Sequence, residues 1–122
     1  MMDINHRGCL AEYQFATECL KRGIEVSFPL LDSSVYDCII DHNGKLLKIQ
    51  VKSTGKKPRE NRNTVQVSFH GNYPKDKVDY FAIYVDIYEG FFIFPNDGEQ
   101  QAIRLSKDNK NSIYYNNFTF NN

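Results

Sequence analysis

Apolar positions recur at helical spacing along the first stretch of the chain and at strand spacing through most of the rest. Arg7 to Arg22 carries no proline, and no glycine after Gly8. Basic residues fill its last turn, Gly23 follows as a stop, and Asn5 stands where an N-cap is expected. The pattern predicts one amphipathic helix whose inward stripe is Cys9, Tyr13, Ala16, Cys19 and Leu20, with Glu12 on the same side. The segment EVSFPLLDSS then reads as a short strand interrupted at Pro29 and followed by a polar turn.

Two β-rich runs, VYDCIIDH and KLLKIQVKS, flank Asn43-Gly44, the strongest short-range hairpin signal. A two-residue type I′ turn there pairs His42 with Lys45 and, counting outward, Asp37 with Gln50. Alternation then places Asp37, Ile39, Asp41, Leu46, Lys48, Gln50 and Lys52 on one face. Tyr36, Cys38, Ile40, Leu47, Ile49 and Val51 fall on the other, the predicted core face. TGKKPRENRN is a polar loop and TVQVSFH a further strand. VDYFAIYVD and GFFIFPN form a second strand pair parted near Glu89-Gly90, and QAIRL is a short edge segment. Residues 106–122, rich in Asn, read as an irregular, partly mobile tail or an intersubunit contact. The expected fold class is α/β (α+β), a central mixed sheet with the N-terminal helix packed on it.

With 122 residues, 41% of them hydrophobic and 14% aromatic, the chain has material for one packed core, so residues 1–122 are taken as a single domain. No window approaches the roughly 18 consecutive apolar residues of a membrane span, and MMDINHRG lacks the apolar core of a signal peptide. Cys9, Cys19 and Cys38 form no CxxC pair and are expected to be reduced, buried thiols, which fits an intracellular protein.

Formal charge is zero, with fifteen basic and fifteen acidic residues, but the charge is divided along the chain. From Lys45 to Arg62 seven basic residues stand against Glu60 alone. Residues 1–44 carry three basic and seven acidic side chains, and residues 63–103 two and six. One face should therefore attract polyanions, unless the run is merely a solvated loop.

On the polar face of the hairpin, a carboxylate (Asp37) opposite a carboxamide (Gln50) supplies hard oxygen ligands suited to Mg²⁺. Lys52, diagonal to the pair, would orient or deprotonate a water, or neutralise charge on a phosphorane-like transition state. The plainer alternative is a cross-strand polar pair on a solvated face. A carboxylate facing the interior, as Glu12 does, needs a partner. A metal shared with Asp37, the Lys52 ammonium, or the nearby helix N-terminus would each serve.

His6, His42 and His70 form no metal-binding or catalytic pattern, and no serine has a nucleophile setting. Tyr80-Phe81, Phe91-Phe92 and Tyr114-Tyr115 fit core or interface positions better than base stacking. Asp41, beside the turn, reads as an Asx cap rather than a ligand.

The order RGxxAE (Arg7, Gly8, Ala11, Glu12), GIEVSFP, YDCIID and IQVKS resembles the PD-(D/E)XK nuclease superfamily. QVK in place of ExK, followed by VDYFAIYV and FFIFP, is similar to the small homing endonucleases of cyanobacterial and phage group I introns; the likeness spans roughly residues 7–95. It implies a restriction-endonuclease-like core and a metal site on Asp37, Gln50 and Lys52, with Glu12 as the helix acid. Tyr36 replaces the motif's Pro, and Gln50 its second acid. The expected function is a Mg²⁺-dependent endonuclease, with Mn²⁺ as a substitute ion, cutting double-stranded DNA at a specific site. Asp37 and Gln50 hold metal, Lys52 positions water and Glu12 is an accessory ligand, while Lys48, Lys56, Lys57, Arg59 and Arg62 contact DNA. A double-strand break requires at least a homodimer, and the likeness allows a tetramer; the aromatic second hairpin and the tail are candidate interfaces. A cytoplasmic, prokaryotic or phage-encoded protein is implied. The alternatives are a Holliday junction resolvase and a non-catalytic DNA-binding module with a degenerate metal site.

Overall fold

The helix begins at Ile4, three residues before the first position that the hydrophobic pattern marks. In the computed structural model, which describes residues 3–31, 34–58 and 63–121, α1 spans Ile4–Lys21. Its N-cap is Asp3, not Asn5: the Asp3 Oδ1 accepts the His6 N–H at 2.9 Å, filling one of the donors that every helix start leaves open. At the other end Gly23 takes φ 76°, a left-handed conformation favoured by glycine, and stops the helix.

Five strands form the central sheet in the order β1 (Glu25–Ser27), β2 (Cys38–His42), β3 (Lys45–Thr54), β5 (Tyr80–Val85), β6 (Gly90–Pro95). Only β3 and β5 run parallel, so the sheet is mixed, as expected. The β2–β3 hairpin has the register that Asn43-Gly44 dictates, from His42↔Lys45 to Cys38↔Ile49, with φ 54° and 83° at the two turn residues. Asp41 accepts the Gly44 N–H at 3.1 Å, the Asx cap read from the sequence. Between β3 and β5 the chain makes β4 (Val65–Ser68), which pairs not with the central sheet but with β7 (Ala102–Leu105) in an antiparallel ribbon.

The result is three layers. Helix residues Ala11, Phe15 and Cys19 pack on Cys38, Ile40, Leu47, Ile49 and Val51 across one sheet face. On the opposite face the ribbon's Val65, Val67 and Leu105 cover Phe81, Ile83, Phe92 and Phe94. Strands β5 and β6 are thus apolar on both sides, which explains their continuous YFAIYV and GFFIFP runs. Among the described residues no helix is long and apolar enough to cross a membrane.

Several expectations change. The helix turns Phe15, edge-on to Phe91 and stacked with Phe118, into the core, while Cys9, Tyr13 and Leu20 of the predicted stripe are exposed. Glu12, half-buried, lies on the flank of the true stripe. Tyr36 leaves the helix-side core face for the ribbon-side cluster, because the ladder ends at Cys38 and strand alternation stops with it. The aromatics of the second hairpin are core, not interface: Phe91, Phe92 and Phe94 are buried. The tail is also structural. A 3₁₀ turn, Lys110–Tyr114, leads to Tyr115, which bridges Phe92, and Phe118 and Phe120 complete the helix-side core.

Candidate active site

Asp37 stands where β2 has just ended, and its two ends grip β3. Its N–H donates to the Ile49 carbonyl at 2.8 Å, and its Oδ2 accepts the Val51 N–H at 2.8 Å. The register read from the turn places Asp37 opposite Gln50; in the structure its backbone and carboxylate bracket Gln50 instead, the side chain standing in for a ladder carbonyl. Burial raises the Asp37 pKa, and the Val51 N–H and the Lys52 charge only partly counter it. This carboxylate is held where its charge is disfavoured, which is the environment that a bound cation relieves.

Lys52, two positions after Gln50 on the same face of β3, is half-buried. Its Nζ donates to the Tyr73 hydroxyl at 3.0 Å and lies 4.9 Å from the centre of that ring and 5.9 Å from the Phe69 ring. Among the described residues two of its three protons have no acceptor, and the aromatic walls limit where the ammonium can point. Glu12 and Asp37 line one cavity of about 280 Å³, with Cys9 and Tyr36 also at its wall. The structure therefore gathers Asp37, Gln50 and Lys52 by register and brings Glu12 to the Asp37 side from the helix.

Among the described residues no three His, Cys, Asp or Glu side chains come together in a way that could hold a metal. Two carboxylates with a carboxamide are a different set, and they fit Mg²⁺, which needs only one or two carboxylates and keeps several waters. Gln50, half-buried, makes no side-chain hydrogen bond among the described residues, so its carboxamide oxygen is uncommitted.

The proposed DNA contacts fare unevenly. Lys56 and Lys57 are exposed, and the Lys56 N–H donates to Thr54 Oγ1 at 3.1 Å at the root of the basic loop. Arg7 secures that root from the helix: its guanidinium meets the Asp86 carboxylate and lies over Gly55, where a Cβ would stand 3.0 Å from Nη1. Lys48 is committed, its Nζ donating to the Asp76 carbonyl and its N–H to Asp79 Oδ2 at 2.7 Å. Arg59 and Arg62 lie outside the described residues.

Sequence reasoning missed Tyr73, Phe69, Asp79 and Asn96. Asn96, buried, donates to the carbonyls of Tyr73 and Val78 at 2.8 and 2.9 Å and so fixes the loop that carries Tyr73. Alternation along TVQVSFH marks Phe69 as core-facing but not as a neighbour of Lys52, and no periodic pattern marks Tyr73, Asp79 or Asn96. The one signal was a tyrosine placed before proline in an otherwise polar connection, GNYPKDK.

A mixed five-stranded sheet with Gln50 and Lys52 on its central strand, Asp37 beside them just outside β2 and an acid on the covering helix is an arrangement of the restriction-endonuclease-like class. The sequence profile of the PD-(D/E)XK endonucleases matches residues 2–118, and the chain belongs to that family. Among solved structures it is similar to a bacterial homing endonuclease, I-Ssp6803I, at 29% identity and TM-score 0.77, over 95% of this chain and 88% of that one. It also shares its fold with Hjc, a Holliday junction resolvase from the archaeal hyperthermophile Archaeoglobus fulgidus, at 15% identity and TM-score 0.52, over 88% and 87% of the two chains. Among proteins with curated descriptions none matches it significantly.

Proposed function

We propose that this nuclease hydrolyses phosphodiester bonds in double-stranded DNA at a specific site, with Mg²⁺ as its cofactor and Mn²⁺ as a substitute. The observation that carries the reading is the grip of Asp37 across Gln50, with the Lys52 charge acting on the same carboxylate. Asp37 and the Gln50 oxygen would hold Mg²⁺, with Glu12 as accessory ligand, and the ion would supply positive charge to the phosphate and lower the pKa of a water. The Lys52 ammonium, steadied by Tyr73, orients the attacking water with its remaining protons and offsets the charge that develops on the phosphate oxygens. Lys56 and Lys57 hold the backbone that leads to the site, joined by Arg59 and Arg62. Duplex cutting at one sequence, rather than junction resolution, rests on the 29% identity with the homing endonuclease; the likeness to the resolvase is one of fold alone.

One chain carries one site, so a double-strand break takes two copies. Phe28, Leu30 and Leu31 are exposed apolar side chains next to the Glu12 cavity, and Leu30 is 97% exposed. We assign this segment to the contact between copies.

The test is incubation of the protein with supercoiled plasmid bearing a library of inserts, with linear duplex and with four-way junctions, in Mg²⁺ and in EDTA. Discrete duplex cuts that need the metal are expected. Preferential cutting of junctions of any sequence would assign the resolvase activity, and DNA binding without cutting in any metal would assign the non-catalytic module.

A further inference from the structure

Beside the central sheet, whose strand β3 carries Gln50 and Lys52, stands the separate two-stranded ribbon β4–β7. Strands β4 and β7 pair Gln66 with Arg104 and Ser68 with Ala102 across the ribbon face that points away from the core, while Val65, Val67 and Leu105 are turned inward. Gln66, Ala102 and Arg104 are exposed and Ser68 is half-buried. Neither Gln66 nor Arg104 has a side-chain partner among the described residues. Glutamine and arginine are two of the side chains that pair bidentately with base edges, Gln with adenine and Arg with guanine, and a two-stranded ribbon is narrow enough to enter the major groove. The small Ser68 and Ala102 beside them leave room for that approach.

Two further features fit. The Arg104 carbonyl accepts from the side-chain amides of Asn109 and Asn111 at 3.0 and 2.7 Å, so the strand that projects the guanidinium is pinned. Finally, Phe69, which follows Ser68 directly, lies against the Lys52 ammonium, so one end of the ribbon abuts the candidate active site. Four residues of strand cover about 13 Å, the rise of roughly four base steps.

We propose that the outer face of the β4–β7 ribbon reads bases in the major groove beside the cut, with Gln66 and Arg104 as its specificity residues. The inference rests on the proposed duplex-cutting function and adds to it the residues that choose the target. The experiment is selection from a randomised duplex library with Lys52→Ala protein, followed by sequencing of the bound fraction, for that parent and for versions also carrying Gln66→Glu or Arg104→Gln. Plasmid cutting by the unaltered protein in Mg²⁺ is measured alongside, so that loss of the nuclease reading shows separately. Each substitution is expected to change the preferred base at one position within about one helical turn of the cut: adenine to cytosine for Gln66→Glu, guanine to adenine for Arg104→Gln. A merely structural role for either residue lowers retention uniformly and switches no base. An unchanged preference in both variants, or a parent that enriches no sequence although the enzyme cuts plasmid, overturns the proposal. Should one variant melt early, the other decides.

Discussion

Asp37 is held in surroundings that disfavour its charge. Burial lifts its pKa, so the folded protein takes up a proton more readily than the unfolded chain does. The stabilising contribution of this group is therefore fully present below the ordinary aspartate range and is lost as pH rises through the folded-state titration. In metal-free buffer at neutral pH, Asp37→Asn should melt a few degrees above the natural protein, the gap closing towards acid pH, while cutting is abolished. A lower melting temperature for the variant would contradict the account. Tyr73 makes a second residue-scale case. Tyr73→Phe keeps the ring beside Lys52 and removes the 3.0 Å hydrogen bond, so cutting should slow about tenfold, the lower range for a bond to a charged group, with melting unchanged. That Asp37 stands beside Gln50 and Lys52 was legible, because turn chemistry fixes the hairpin register. Tyr73 was not, because its place depends on a loop tied down by the buried Asn96.

At the scale of elements, local signals decided what could be read. Asn43-Gly44 set the hairpin register, and the apolar β5 and β6 runs announced strands buried on both faces. The β4–β7 pairing joins segments more than thirty residues apart, and nothing within either strand names the other. The helix stripe is rotated by a fraction of a turn from the expected one: Ala16 and Cys19 are buried as read, but Tyr13 and Phe15 are both aromatic and only packing against Phe91 and Phe118 selects Phe15. Phe15→Ala should cost about 3–5 kcal/mol in stability, as for buried aromatics in general, read by denaturant unfolding. The tail belongs to the same layer: Asn116 takes the Phe91 N–H on its Oδ1 at 2.9 Å, and Phe118 and Phe120 are buried. Truncation after Asn116 should lower the melting temperature clearly, whereas a mobile tail would be removed without effect.

For the molecule as a whole, exposure separates the three cysteines. Cys19 is buried, its thiol pushed up to about 12, and burial also raises Cys38. Cys9 is exposed at the wall of the cavity shared by Glu12 and Asp37. A bulky maleimide should therefore label one thiol of the native protein and block cutting, and labelling that spares activity would place the catalytic groups elsewhere. The same scale governs metal affinity. A site of two carboxylates and one carboxamide is short of negative charge, and Gln50→Glu should lower the Mg²⁺ concentration for half-maximal cutting by about an order of magnitude.

The most direct measurement is the single-turnover rate of duplex cutting as a function of Mg²⁺ for the natural protein and for Lys52→Ala, both first shown to be folded and to bind DNA. The account predicts a metal-dependent rate for the natural protein and a loss of roughly 10²- to 10⁴-fold in the variant, the range for a positioned proton-handling group. A variant that cuts as fast as the natural protein would contradict it, because Asp37, Gln50 and Lys52 would then not be the site of the chemistry.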